Sequence, residues 1–211
     1  MQQTRLSLIR HGETEWNIAG RLQGWEDSPL SALGLSQANR LADTLVGMKP
    51  SILMSSDAGR AVATATIIGG KLGLAPTIDI RLREINFGKF EGKVQGTMPP
   101  EEIAERDRIL AMDPACTAAI PGGESPAQVS ARVWSCIDEV AGQLAGTTIL
   151  VVSHGAVLAC VLRSVLGVPA FAPRRFVIGN TAFITLVRLG NGPWMVEFDD
   201  LDPLTPASRP A

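Results

Sequence analysis

The stretch LSLIRHGETEWN, residues 6–17, joins an apolar run to a polar loop. Leu6, Leu8 and Ile9 have the composition of a buried strand, and the run stops at Arg10-His11-Gly12. A cation and an imidazole therefore stand at the carboxyl end of a core strand, where open α/β sheets bind ligands. The pattern recurs near the other end of the chain. Thr148-Ile149-Leu150-Val151-Val152 reads as a second buried strand and ends in Ser153-His154-Gly155. These are the only two histidines in 211 residues, and each follows an apolar strand and precedes a glycine. A lone histidine is more often structural than catalytic; two in matched contexts point to a phosphoryl-transfer site with a nucleophilic histidine.

Outward from these two strands, helical and strand-like patterns alternate. Ser31 caps an expected helix with Ala38, Leu41, Ala42 and Leu45 on one face. Ile52-Leu53-Met54 is a short strand, followed by a helix with Ala61, Ala65, Ile68 and Leu72 on one face and Gly73 at its end. Thr77 to Ile80 is a third strand, and Ser125-Pro126-Ala127-Gln128 opens a long helix with a capping box. A helix from about Ala156 to Leu166 follows the fourth strand. Strands are then expected at Arg175–Ile178, Ala182–Leu189 and Trp194–Phe198. The pattern predicts an α/β class: a three-layer α/β/α sandwich with a mainly parallel central sheet. One domain is expected over 1–201, with 81–123 as a lid-like excursion and 202–211 as a flexible tail.

Charged residues make up 19% of the chain and the net charge is -2, so nothing favours nucleic acid or an anionic membrane. No apolar stretch approaches the roughly 18 residues needed to span a bilayer. The chain leads straight from Met1 into its first strand, leaving no room for a signal peptide. Cys116, Cys136 and Cys160 are scattered, as expected of reduced thiols in a cytoplasmic protein. An exposed strand or helix pair could support a homodimer.

Hydrolysis of a phosphomonoester needs a nucleophile in line with the leaving oxygen, cationic donors on the equatorial oxygens and an acid for the alcohol. His11 can attack as neutral imidazole. Arg10 and Arg60 offer planar forks that match phosphate oxygens. His154, protonated beside a dianion, would add charge and a donor. Gly12 and Gly155 allow close approach of backbone. Glu84 is the candidate acid, its carboxyl driven toward the protonated form by a nearby phosphate. Plainer readings stand beside these. Arg60 reads equally well as a helix-surface arginine, and Glu84 as one partner of a surface ion pair among Arg81, Arg83, Lys89 and Glu91. Trp16 and Trp25 read as packing residues, and Asn17 as a turn stabiliser.

Residues 8–14, LIRHGET, resemble the signature of the histidine phosphatase (phosphoglycerate mutase-like) superfamily. The similarity continues through Arg21-Leu22-Gln23-Gly24-Trp25, Ser56-Asp57-Ala58-Gly59-Arg60-Ala61 and Leu82-Arg83-Glu84-Ile85-Asn86-Phe87-Gly88, and closes with Pro121-Gly122-Gly123-Glu124-Ser125 and Val152-Ser153-His154-Gly155. Six blocks in family order make the resemblance specific. It implies a phosphohistidine at His11, with Arg10, Arg60 and His154 holding the phosphoryl group. It implies Glu84 as proton donor, and Thr14, Asn17, Gln23 and Gly24 near phosphate or substrate. No metal and no cofactor are expected, and the implied partner is a small phosphorylated metabolite.

Two other phosphate motifs fail. Gly88-Lys89-Phe90-Glu91-Gly92-Lys93 is one residue short of a P-loop, and Val94 replaces its Ser or Thr. The aspartate pair Asp200 and Asp202 falls too late in the chain for an aspartyl-phosphate nucleophile. Within the resemblance three functions compete: a phosphatase, a bisphosphoglycerate-dependent mutase and a non-catalytic phospholigand-binding module. The mutases carry an added basic cluster for a second anionic group. Residues 97–123 offer Arg106 and Arg108 against Glu101, Glu102, Glu105, Asp107 and Asp113, which favours the phosphatase.

Overall fold

A computed structural model describes residues 2–110, 115–168, 172–173 and 175–198. The expected tail over 202–211 and the Asp200–Asp202 pair lie outside the described residues.

Six strands, β1 (Gln3–Arg10), β2 (Ile52–Ser55), β3 (Thr77–Ile78), β4 (Thr148–Ser153), β5 (Phe183–Leu189) and β6 (Met195–Glu197), form one sheet. Its order is β3-β2-β4-β1-β5-β6. The pairs β3/β2, β2/β4 and β4/β1 are parallel, whereas β1/β5 and β5/β6 are antiparallel. Helices α1 (Glu15–Ile18), α2 (Ala32–Leu45), α3 (Gly59–Leu72), α4 (Pro100–Leu110), α5 (Pro126–Gln143) and α6 (Gly155–Val165) fill the connections. None of the described helices is long and apolar enough to cross a membrane.

The apolar strands are buried on both faces. Leu6, Leu8, Ile149 and Val151 pack with Val129, Val133 and Ile137 of α5 and Val157 and Leu158 of α6. Ile9, Leu53, Leu150 and Val152 pack with Leu41, Ala42 and Leu45 of α2 and Ala61, Ala65 and Ile68 of α3. Alternate residues of one strand thus feed opposite cores, which is why the runs are apolar at nearly every position; the exception, Ser7, pairs with Thr185 Oγ1 (2.9 Å). The α/β class, the parallel core and its cover of helices on both faces are as expected. The direction of travel across the sheet reverses after β3. Because parallel crossovers keep one hand, α2 and α3 cover one face and α5 the other.

Helix boundaries follow local chemistry. Ser31 accepts a bond from Gly34 N at the start of α2, and Ser125 and Gln128 form a capping box at the start of α5. Gly73 ends α3 in the left-handed region at φ 70°. The excursion over 81–123 buries Leu82, Ile85, Phe87 and Phe90 in the core shared with α5 and α6.

Two expected strands differ. The third covers only Thr77–Ile78 at the exposed sheet edge, because Asp79 turns the chain by accepting Arg81 N, and Ile80–Leu82 is a 3-10 turn. Arg175–Ile178 is not a strand. The chain there crosses the end of β1, and the bonds expected for a ladder go elsewhere: Ile178 O accepts from Arg10 Nη1 (2.6 Å), and Thr181 N donates to Arg10 O (3.1 Å). Pairing resumes at Phe183, after Thr181 adopts φ 56°, an unusual conformation for a β-branched residue.

Candidate active site

The register of β1 with β4 sets Arg10 beside Ser153, so the residues that follow both strands emerge together. His11 N donates to Ser153 O (3.0 Å), and the His11 and His154 ring centroids are 5.3 Å apart in an edge-to-face arrangement. His11 Nδ1 lies 2.7 Å from Gly12 O. A carbonyl only accepts, so Nδ1 carries the proton and the Nε2 lone pair is left for chemistry. His154 Nε2 pairs with Ser56 Oγ (2.8 Å), while its buried Nδ1 has no hydrogen-bond partner among the described residues.

Arg60 is 1% exposed, so the surface reading of it does not hold. It lies in the first turn of α3 and is held by the 24–27 loop: Nη1 donates to Glu26 O (3.0 Å) and Asp27 Oδ1 (2.8 Å), and Nη2 to Gly24 O (2.7 Å). Its buried Nε has no partner among the described residues. Glu84 is also buried rather than in a surface ion pair. One carboxyl oxygen accepts from Ile85 N (2.9 Å) and the other from Ala156 N (3.1 Å) in the first turn of α6.

Burial sets the protonation states. Loss of water holds His11 and His154 well below the usual histidine range, with the Arg60 guanidinium adding to the effect on both. Both are neutral near pH 7 without a bound anion; the imidazolium form of His154 expected beside a dianion needs that dianion to oppose the shift. Burial raises the Glu84 carboxyl and outweighs the N–H groups of Ala156 and Ile85 and the charges of Arg60 and Arg10. The carboxyl is therefore pushed toward its acid form before any phosphate arrives.

A sequence profile of the histidine phosphatase superfamily (branch 1) matches residues 6–201. The chain belongs to that superfamily. It is 39% identical over 188 residues to "Probable phosphoglycerate mutase GpmB" of Yersinia pestis, spanning 89% of this chain and 86% of that one. The solved "Mycobacterial hydrolase 1" shares 30% identity at a TM-score of 0.83, covering 93% of this chain and 98% of its own. A mycobacterial glucosyl-3-phosphoglycerate phosphatase in complex with VO3 shares 30% identity at a TM-score of 0.77, covering 92% and 96%. Membership places the chain among the phosphoric monoester hydrolases.

In this histidine phosphatase the remaining candidates divide. Thr14 is fully buried: its hydroxyl accepts from Asn17 N (3.1 Å) and donates to Gln23 Oε1 (2.9 Å). That bond turns the Gln23 amide so that its buried Nε2 is left without a partner among the described residues, a donor available to an anion. Asn17 Oδ1 is occupied by Thr14 N and Asn180 Nδ2. Gly24 contributes its carbonyl to Arg60, and an added Cβ would lie 2.7 Å from Ile85 O. Gly12 is also required for packing on α2, since an added Cβ there would lie 2.7 Å from Gly34 O. Gly155 faces the Arg10 guanidinium, and a Cβ would meet it at 3.4 Å.

Several neighbours were not legible beforehand. Ser56 orients His154, and Asp27 holds Arg60. Asn180 Nδ2 donates to His11 O (3.1 Å), from a segment expected to lead between strands. Trp25 is 46% exposed, more than a packing residue would be, and its Nε1 donates to Glu84 O (3.0 Å). With Asp57, Arg83 and Glu84 it lines a cavity of about 320 Å3. Arg83 binds Asp57 with both Nε and Nη2 and lies over the Trp25 ring.

Proposed function

We propose that this protein is a metal-independent phosphatase that hydrolyses a small phosphomonoester metabolite through a phosphohistidine at His11. The observation that carries the reading is the His11 Nδ1–Gly12 O contact, which leaves Nε2 as the lone-pair nitrogen beside His154 and two arginines. The Nε2 lone pair attacks phosphorus as the bond to the leaving oxygen breaks. Glu84 gives its proton to that oxygen, and the alcohol departs. Glu84, now a carboxylate, takes a proton from water; the water oxygen attacks phosphorus and the N–P electron pair returns to Nε2. Arg10, Arg60, the Gln23 amide and His154 stabilise the transferring phosphoryl oxygens. The positive charge comes from guanidinium groups, so no metal ion enters either step.

The Yersinia relative's name raises the mutase alternative, and the charge arrangement around α4 speaks against it. Lys89 pairs with Glu105 (2.8 Å), Lys93 with Glu102 (2.7 Å) and Arg106 with Asp107 (2.6 Å). Cations already compensated in this way are a poor clamp for a second phosphate. A purely binding module would have no use for a buried acid whose pKa is raised. A reducing cytoplasmic setting belongs to the same reading, since all three cysteines are buried thiols.

The test is inorganic phosphate release from a panel of phosphomonoesters in excess chelator, wild type beside His11→Ala. Release that depends on His11 is expected. Release restored only by a divalent ion would overturn the metal-free reading. Conversion of 3-phosphoglycerate to its 2-isomer with bisphosphoglycerate present, and no release from the panel, would make the protein a mutase.

A further inference from the structure

We infer that Arg132 and Glu124 form a clamp that positions Glu84 for protonation of the leaving group; the inference rests on the acid role proposed above. The segment from Arg81 to Asn86 carries Glu84 yet belongs to no sheet or long helix, so its carbonyls have no ladder to enter. Three of them converge instead on one side chain of α5. Arg132 Nη1 donates to Arg81 O (2.7 Å) and Arg83 O (2.6 Å), and Nη2 donates to Glu84 O (2.9 Å). The same guanidinium binds Glu124 with Nε to Oε1 (2.9 Å) and Nη2 to Oε2 (2.9 Å). Glu124 completes the enclosure, since its Oε2 accepts from Asn86 N (3.0 Å) and its own N–H donates to Asn86 O (3.0 Å). Residues on both sides of Glu84 are thereby tied to one ion pair.

The clamp is itself anchored. Val129 and Val133, on either side of Arg132 along α5, are fully buried, and the capping box begins at Ser125, next to Glu124. The two side chains are each 17% exposed, so water competes weakly for them. Only a planar fork reaches three carbonyls and a carboxylate together; a lysine ammonium is a point donor without that geometry. With the clamp weakened, the Glu84 carboxyl keeps Ile85 N and Ala156 N and its carbonyl keeps Trp25 Nε1 (3.0 Å), but the backbone on both sides of it is released from Arg132 and Glu124 and its position is less sharply fixed. A misplacement of about 1 Å can cost on the order of 100-fold in rate. That loss falls on leaving groups that need the proton.

The experiment compares Arg132→Lys, Glu124→Gln, Glu84→Gln and the Arg132→Lys/Glu84→Gln double variant on two probes. These are p-nitrophenyl phosphate and the alkyl phosphomonoester that wild type hydrolyses fastest. Arg132→Lys is expected to lower kcat on the alkyl ester by about tenfold or more and on the aryl ester by about twofold or less, with KM near wild type. On the alkyl ester the double variant should be no slower than Glu84→Gln alone. Glu124→Gln should show the same preference more weakly, and it carries the test if Arg132→Lys does not fold. Equal losses on both esters, or additive losses in the double variant, would overturn the clamp while leaving Glu84 as the acid. A Glu84→Gln variant without leaving-group preference would overturn the acid assignment and the clamp with it.

Discussion

The two buried histidines should make the protein sensitive to mild acid, by an amount that can be worked out. Each has a folded-state pKa held well below 6.5, chiefly by burial and further by Arg60. Below pH 6.5 the unfolded chain binds protons that the folded chain refuses, so stability falls as pH falls through that window. Lowering the pH from 7 to 5.5 then costs up to about 1.3 kcal/mol per histidine. The pair together costs up to about 2.5 kcal/mol, a large share of a typical stability margin of roughly 5–15 kcal/mol. Glu84 acts in the opposite sense. Its raised pKa gives a contribution fully present below the unfolded value and lost as pH rises through the folded one. To isolate one histidine, urea unfolding at pH 7 and pH 5.5 is measured for wild type and His154→Gln. The static cost of the substitution cancels in the difference between the two pH values. The variant should lose less than wild type over that interval, by up to about 1.3 kcal/mol. An equally steep loss in both proteins would refute a neutral, desolvated His154.

Gly34→Ala should displace the nucleophile loop, because an added Cβ would lie 2.0 Å from Glu13 O, a backbone atom that cannot step aside. A stability loss of about 1–3 kcal/mol with reduced kcat is expected; a variant with wild-type melting and rate would contradict the packing argument. Arg60→Lys leaves one point donor to face Gly24 O, Glu26 O and Asp27, and should lower kcat/KM by about 100-fold. Steady-state kinetics decide it, and a loss under about threefold would return Arg60 to a supporting role.

Much of the frame was legible because it depends on neighbours in the chain. The double-sided burial of Leu6–Ile9 and Ile149–Val152 is written in runs that are apolar apart from Ser7, and the helix starts at Ser31 and Ser125 in their capping residues. Arg60 and Glu84 could not be judged that way. What buries Arg60 is a loop more than thirty positions earlier, and what buries Glu84 includes α6, seventy-two positions later. Asn180 was missed because an apolar stretch before it looks like a strand, whereas its neighbours bond the end of β1. Arg132 gave no signal, since one arginine on an amphipathic helix looks like a solvated residue until its carbonyl partners are known.

By itself the sequence determined which segments are strands and helices over most of the chain, and that both histidines stand at strand ends. Those properties follow from side-chain periodicity and capping chemistry, which act over a few residues. Only the tertiary structure decided that the two strands are neighbours in register, that both imidazoles are neutral and that the Glu84 carboxyl is raised. Protonation depends on how much water is excluded and on which charges stand within a few ångströms, and both are supplied by residues distant in sequence.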